Sequence, residues 1–128
     1  MGTRSLTFVY DERNNPIINL YRQYDGYPSG HGAELAEFLA GKKIVNGLSG
    51  DTSMVFNGMG CLAASLVAHF KDAAGGFYLH NVGETDLWQD YEYHVYANKI
   101  VVKNYNGNEI FSGNWESFSK FCGAEELV

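Results

Sequence analysis

Between Trp88 and Ser112 the chain reads WQDYEYHVYANKIVVKNYNGNEIFS, an alternating run and a β-branched run separated by short turns. Successive side chains of a strand point to opposite faces, so the alternation in DYEYHVY marks a strand with two distinct surfaces. Asn106-Gly107 supplies the two residue types that best tolerate the positive φ angles of a tight hairpin. The segment therefore predicts an antiparallel meander of Trp88 to Tyr96, Ile100 to Tyr105 and Glu109 to Ser112. Phe77 to Val82 precedes it as another strand, ending at the turn GETD. Alternation puts Tyr91, Tyr93 and Val95 on one side and Glu92, His94 and Tyr96 on the other. With aromatics on both faces, the second face calls for a cover: a helix, a ligand or a second copy in a homodimer.

The N-terminal third predicts a hairpin. Thr3 to Tyr10 is rich in β-formers, Asp11 to Asn15 is turn chemistry, and Pro16 can open a strand running to Tyr24. If Tyr10 faces Pro16, Phe8 stands opposite Ile18, Leu6 opposite Leu20 and Arg4 opposite Arg22, all on one face. Two like charges opposite one another need something negative between them, either Asp25, Glu34 or a bound anion.

Two main helices follow. His31 to Ala40 carries the stripe Leu35, Phe38, Leu39 and stops at Gly41. Met59 to Phe70 carries Leu62, Leu66 and Phe70, with Cys61, Ala64 and Ala68 beside them. Between the two helices, Ile44 to Asn57 is Gly/Ser/Asn/Asp-rich and reads as a long loop. Asn114 can cap a short last helix, WESFSKFC, before a fraying tail, GAEELV. The predicted class is α+β: an antiparallel sheet of five to six strands, an N-terminal hairpin plus the C-terminal meander, with two main helices on one face and a short C-terminal helix. Length and the absence of a linker predict a single domain over residues 1–128.

Charge and cysteine usage narrow the function. A net charge of −6 argues against binding a nucleic-acid backbone and leaves a basic protein partner open. No apolar run approaches a membrane span or a signal sequence. Cys61 and Cys122 are too few for a disulfide framework, so a reducing compartment, the cytoplasm, is expected with both thiols buried. The four histidines and two cysteines lack the spacing of a metal centre, and no cofactor motif is present.

One stretch concentrates binding chemistry. In LYRQYDGYPSGHG, Leu20 to Gly32, a Gly-rich turn feeds a helix start, where free N–H groups suit an anion. Arg4 and Arg22 can fork onto phosphate or carboxylate, and Tyr24, Tyr27 or Trp88 can stack on a planar ring. The candidate ligand-binding residues are Arg4, Arg22, Tyr24, Tyr27, Ser29, Gly30, His31 and Gly32. No catalytic residues are assigned, although His31 beside the loop and Cys61 at a helix start are the nearest to acid–base or nucleophilic chemistry.

The pieces MGTRSLTFVYDE, YRQYDGYPSGHG, FNGMGCLAASLVAHF, GGFYLH and WQDYEYHVY resemble a family of short uncharacterised open reading frames of bacteriophages and large viruses. That resemblance implies a viral origin and a setting in the host cell, where small proteins of this kind often counter host defences. The expected function is non-enzymatic: binding a small anionic or nucleotide-like ligand, as in sequestering a defence signal. The alternative is an inhibitor whose acidic surface blocks a host defence protein, and a small enzyme using His31 or Cys61 is the second alternative.

Overall fold

The computed structural model describes residues 2–126, with side chains described through residue 123. Its strands are β1 (Ser5–Tyr10), β2 (Pro16–Arg22), β3 (Lys43–Val45), β4 (Val55–Asn57), β5 (Phe77–His80), β6 (Tyr91–Val95), β7 (Ile100–Asn104) and β8 (Glu109–Gly113). Its helices are α1 (Ala33–Leu39), α2 (Gly58–Phe70) and α3 (Trp115–Glu126), with a π-helical turn at Pro28–Gly32 leading into α1. Six strands form one sheet in the order β5-β2-β1-β6-β7-β8. The α+β class, the six-stranded sheet and the three helices agree with the sequence reading. Every neighbouring pair is antiparallel except β1 and β6 at the centre, which run parallel.

That parallel pair has a topological consequence. β5 joins the hairpin edge rather than the meander, so residues 81–90 must cross back over β2 and β1 to reach β6. Parallel strands need such a crossover, commonly a helix; here it is an irregular segment. The Asn19 side-chain amide holds it, donating to the Asn81 carbonyl at 3.1 Å and the Glu84 carbonyl at 2.9 Å. Trp88, expected to start a strand, instead lies in this crossover.

The hairpin register departs from expectation by one residue. Tyr10 does face Pro16, but a bulge follows, Val9 pairs with Ile18, and Ser5 rather than Arg4 stands opposite Arg22. Ile17 is the extra residue, and a one-residue slip turns every later side chain of β2 to the other face. Thr7, Val9, Leu20 and Arg22 therefore face the helices, while Leu6, Phe8 and Asn19 face the crossover. Both sets are buried, except that Arg22 is only partly so.

A continuous core lies between the sheet and all three helices. Leu35, Phe38 and Leu39 of α1, Leu62, Leu66 and Phe70 of α2, and Phe118 and Cys122 of α3 meet Val9, Leu20, Tyr93, Val95, Ile100 and Val102. Helix α2 turns Met59, Leu62, Ala63, Leu66 and Phe70 inward at helical spacing. Cys61, Ala64 and Ala68 fall outside that stripe and are exposed, which corrects the expected burial of Cys61. The α2 start is closed from the first hairpin: the Met59 N–H donates to Glu12 Oε2 at 2.7 Å, beside Gly58 at φ 83°.

The stretch expected to be a long loop contains a small parallel pair, β3 with β4. Helix α3 extends four residues past WESFSKFC to Glu126, so part of the tail expected to fray is helical. Leu127 and Val128 lie outside the described residues. No helix among the described residues is long and apolar enough to cross a membrane.

Candidate functional site

The Gly-rich turn places its donors differently from the anion cradle expected of it. The Gly30 N–H donates to the Tyr27 carbonyl at 2.9 Å, His31 N–H to the Asp25 carbonyl at 2.7 Å, and Gly32 N–H to the Tyr27 carbonyl at 3.4 Å. The π-helical turn thus uses its own N–H groups, and the seven-residue helix α1 follows without a break. His31 and Gly32 are buried, Ser29 and Gly30 half-buried, and Tyr24, Asp25 and Tyr27 are exposed. Tyr27 turns its hydroxyl back to Asp25 Oδ1 at 3.3 Å.

Arg22 and His31 meet, and they meet inside. The Arg22 guanidinium pairs with Glu34, donates through Nε to the Tyr24 carbonyl at 2.6 Å, lies 3.3 Å from His31 Nδ1 and sits 5.0 Å from the Phe77 ring centre. Arg4 is not part of this group. It lies one residue before β1, the register sets Ser5 and not Arg4 opposite Arg22, and its backbone N–H donates to Asp90 Oδ2 at 2.9 Å. The two arginines therefore do not form a shared clamp. A cavity of about 410 Å³ does open beside Arg22, but Glu34, Glu37 and Asp72 line it over Phe70 and Phe77. Three carboxylates against one guanidinium make that cleft acidic, the wrong sign for an anion.

Positive charge gathers elsewhere. Two adjoining cavities of about 430 Å³ each share Lys42, Trp115 and Glu116. One is walled by Lys42, Lys43, Asn98, Asn114 and Trp115, and the other runs back along α1 to Ala36. Trp115 Nε1 is buried and has no hydrogen-bond partner. A buried donor left unpaired costs about 1–3 kcal/mol, so such a group stands out in a well-packed fold. Lys42 is partly committed: Nζ donates to the Phe38 carbonyl at 2.6 Å and lies over the Phe38 and Phe56 rings. Lys43 is exposed. Asn114 Oδ1 caps α3 by accepting from the Ser117 N–H at 2.8 Å. Glu116, on the same rim, pairs with Lys120 at 3.9 Å.

Sequence patterns do not reveal this cavity, because its parts lie at three distant places in the chain. Lys42-Lys43 read as charges complementing the end of α1, and Trp115 reads as part of an apolar helix face. The one local signal is two adjacent lysines in an acidic chain.

A third arrangement lies on the face opposite the helices. Tyr10 Oη is 2.6 Å from His94 Nδ1, and His94 Nε2 is 3.0 Å from Glu92 Oε1. A carboxylate only accepts, so Nε2 carries the proton and, in the neutral ring, Nδ1 accepts from the Tyr10 hydroxyl. Burial, with Tyr96 and Glu92 nearby, pushes the Tyr10 hydroxyl well above its usual range, so it stays protonated. Tyr10 stacks on Tyr96 at 4.3 Å and His94 on Phe8 at 5.1 Å. A hydroxyl so held is a poor nucleophile, and the chain of bonds serves to lock the stack.

Among the described residues no cluster of three His, Cys, Asp or Glu side chains is placed to hold a metal ion. No family model, curated protein or solved structure matches the chain.

Proposed function

We propose that this chain is a non-enzymatic binding protein for a small anionic, nucleotide-like ligand, held between residues 42–44 and Trp115. The observation that carries this reading is the pair of adjoining cavities walled by Lys42, Lys43 and Trp115. Lys43 would meet the ligand's charge, the Trp115 ring would offer an apolar surface to a base, and Asn98 and Asn114 would supply polar contacts. A cavity of about 430 Å³ lies within the ordinary range for small-ligand sites. The resemblance to phage and viral reading frames gives the binding a setting, the removal of a nucleotide signal from the host cytoplasm.

Native mass spectrometry after incubation with a bacterial nucleotide extract tests this reading. An adduct of nucleotide mass, absent from the Lys43→Glu variant, is expected. No adduct from the extract or from purified mono-, di- and cyclic nucleotides would overturn it. A second reading, docking on a basic host protein, draws on the net charge of −6 and on the acidic Arg22 cleft.

A further inference from the structure

On the face opposite the helices, the crossover and the β7–β8 turn enclose a cavity of about 300 Å³. Trp88 and Tyr105 stand on its rim, 82% and 74% exposed, and Trp88 holds a left-handed φ of 62°. Such a φ is uncommon for a bulky side chain, so this backbone conformation turns the indole outward at some cost. Asp86 and Glu92 contribute two carboxylates to the lining, and no lysine or arginine among the described residues belongs to it. Gln89 and Asn104 spend much of their capacity locally. The Gln89 amide donates to the Thr85 carbonyl and to Glu92 Oε2, and Asn104 Oδ1 accepts from the Asn106 and Asn108 N–H groups.

We propose that this cavity binds a guanidinium group, stacked on Trp88 and Tyr105 and forked onto Asp86, as carried by arginine or by an arginine side chain of a partner protein. Both Glu92 oxygens already accept, from His94 and Gln89, so the charged and aromatic groups left to a ligand are the Asp86 carboxylate and the two rings. Aromatic faces and carboxylates both attract cations, and anions are repelled. Lys103 stands opposite Glu92 across β6 and β7 and offsets part of that carboxylate's charge, which leaves Asp86 as the principal partner. Shape then selects among cations. Two rings make an incomplete cage for a quaternary ammonium, whereas a flat guanidinium needs one face to stack and one carboxylate to meet its fork. This site is independent of the anion reading, since it lies across the sheet from Lys43 and Trp115 and shares no residue with their cavity.

The test is NMR titration of the two tryptophan indole N–H signals, assigned with Trp88→Phe. The probes are N-acetyl-arginine methylamide, its lysine counterpart and glucose, at matched ionic strength. The arginine probe is expected to shift the Trp88 signal saturably, at least tenfold more tightly than the lysine probe, and glucose to leave it unmoved. Asp86→Asn should weaken the arginine response at least tenfold, and Trp88→Ala, followed through backbone amides near Tyr105, should abolish it. Asp86 and Trp88 are both exposed, so both variants are expected to fold. Equal responses to arginine and lysine, a response to glucose, or an Asp86→Asn variant that binds like the parent would each overturn the proposal. Arginine-rich peptides binding more tightly than the free probe would identify a protein as the source of the guanidinium.

Discussion

The Arg22 guanidinium lies 3.3 Å from His31 Nδ1, and that contact settles the tautomer of a fully buried imidazole. Arginine can only donate, so Nδ1 must accept, and the ring proton sits on Nε2, which donates to Thr7 Oγ1 at 2.7 Å. Burial first, and the neighbouring Arg22 charge second, push His31 down to about 3. In the unfolded chain the same group titrates near 6.5. Between these values the unfolded state binds the extra proton, so stability is full above about pH 6.5 and falls as pH drops toward 3. The slope is about 1.4 kcal/mol per pH unit for one proton. Urea unfolding at pH 7, 6, 5 and 4 should show this loss, and His31→Gln, which cannot titrate, should flatten this component of the profile.

Arg22 belongs to the structure as much as to any site. Arg22→Ala removes the Glu34 pair, the Tyr24 carbonyl bond and the contacts with His31 and Phe77 together. Its side chain is 12% exposed and that of Glu34 is 51% exposed, so the loss falls between that of a surface pair and a buried one. About 2–3 kcal/mol is expected for Arg22→Ala and under about 1 kcal/mol for Glu34→Ala. Equal small losses in both, measured by denaturant unfolding, would mean that Arg22 holds nothing.

Gly26 is a point of close approach. An added Cβ would lie 2.8 Å from the Arg4 carbonyl carbon and 2.9 Å from the Ser5 Cβ, while the Gly26 carbonyl accepts from the buried Tyr93 hydroxyl at 2.7 Å. Gly26→Ala forces backbone to move and should cost about 1–3 kcal/mol. Tyr93→Phe leaves the carbonyl without its partner and should cost about 1–3 kcal/mol as well. Thermal unfolding of the two single variants checks both.

The strands of the meander are legible in the sequence because alternation and Asn106-Gly107 are local signals. The parallel β1–β6 pair is not, since pairing between residues 86 positions apart leaves no mark in either strand. The expected hairpin register fails on the one bulge at Ile17, and with it goes the Arg4–Arg22 clamp. The Gly-rich turn does precede a helix, but whether its N–H groups face a ligand or their own carbonyls depends on backbone angles that composition does not specify. The lysine cavity depends on residues 42–43, 97–98 and 114–116 meeting in space, which no single stretch announces.

The two thiols should behave oppositely. Cys61 is exposed on the outer face of α2 and Cys122 is buried against the core. A thiol reagent should label one cysteine rapidly in the native protein and the second only on unfolding, with peptide mapping placing the fast site at Cys61. Fast labelling of Cys122 would contradict the packing of α3.

Thermal shift against a panel of mono-, di- and cyclic nucleotides tests the anion reading most directly, in the parent chain and in Lys43→Glu, Trp115→Phe and Arg22→Ala. Lys43 is exposed, and Trp115→Phe keeps an aromatic ring in the cavity wall while cutting back its stacking surface, so both variants chiefly read binding. A ligand at 100 times its Kd adds about 2.7 kcal/mol, a shift that is easily read. At least one nucleotide should stabilise the parent, with the shift lost in Lys43→Glu, reduced in Trp115→Phe and kept in Arg22→Ala. A shift that survives Lys43→Glu and Trp115→Phe but disappears in Arg22→Ala would put the site back at the Gly-rich turn and contradict binding in the lysine cavity.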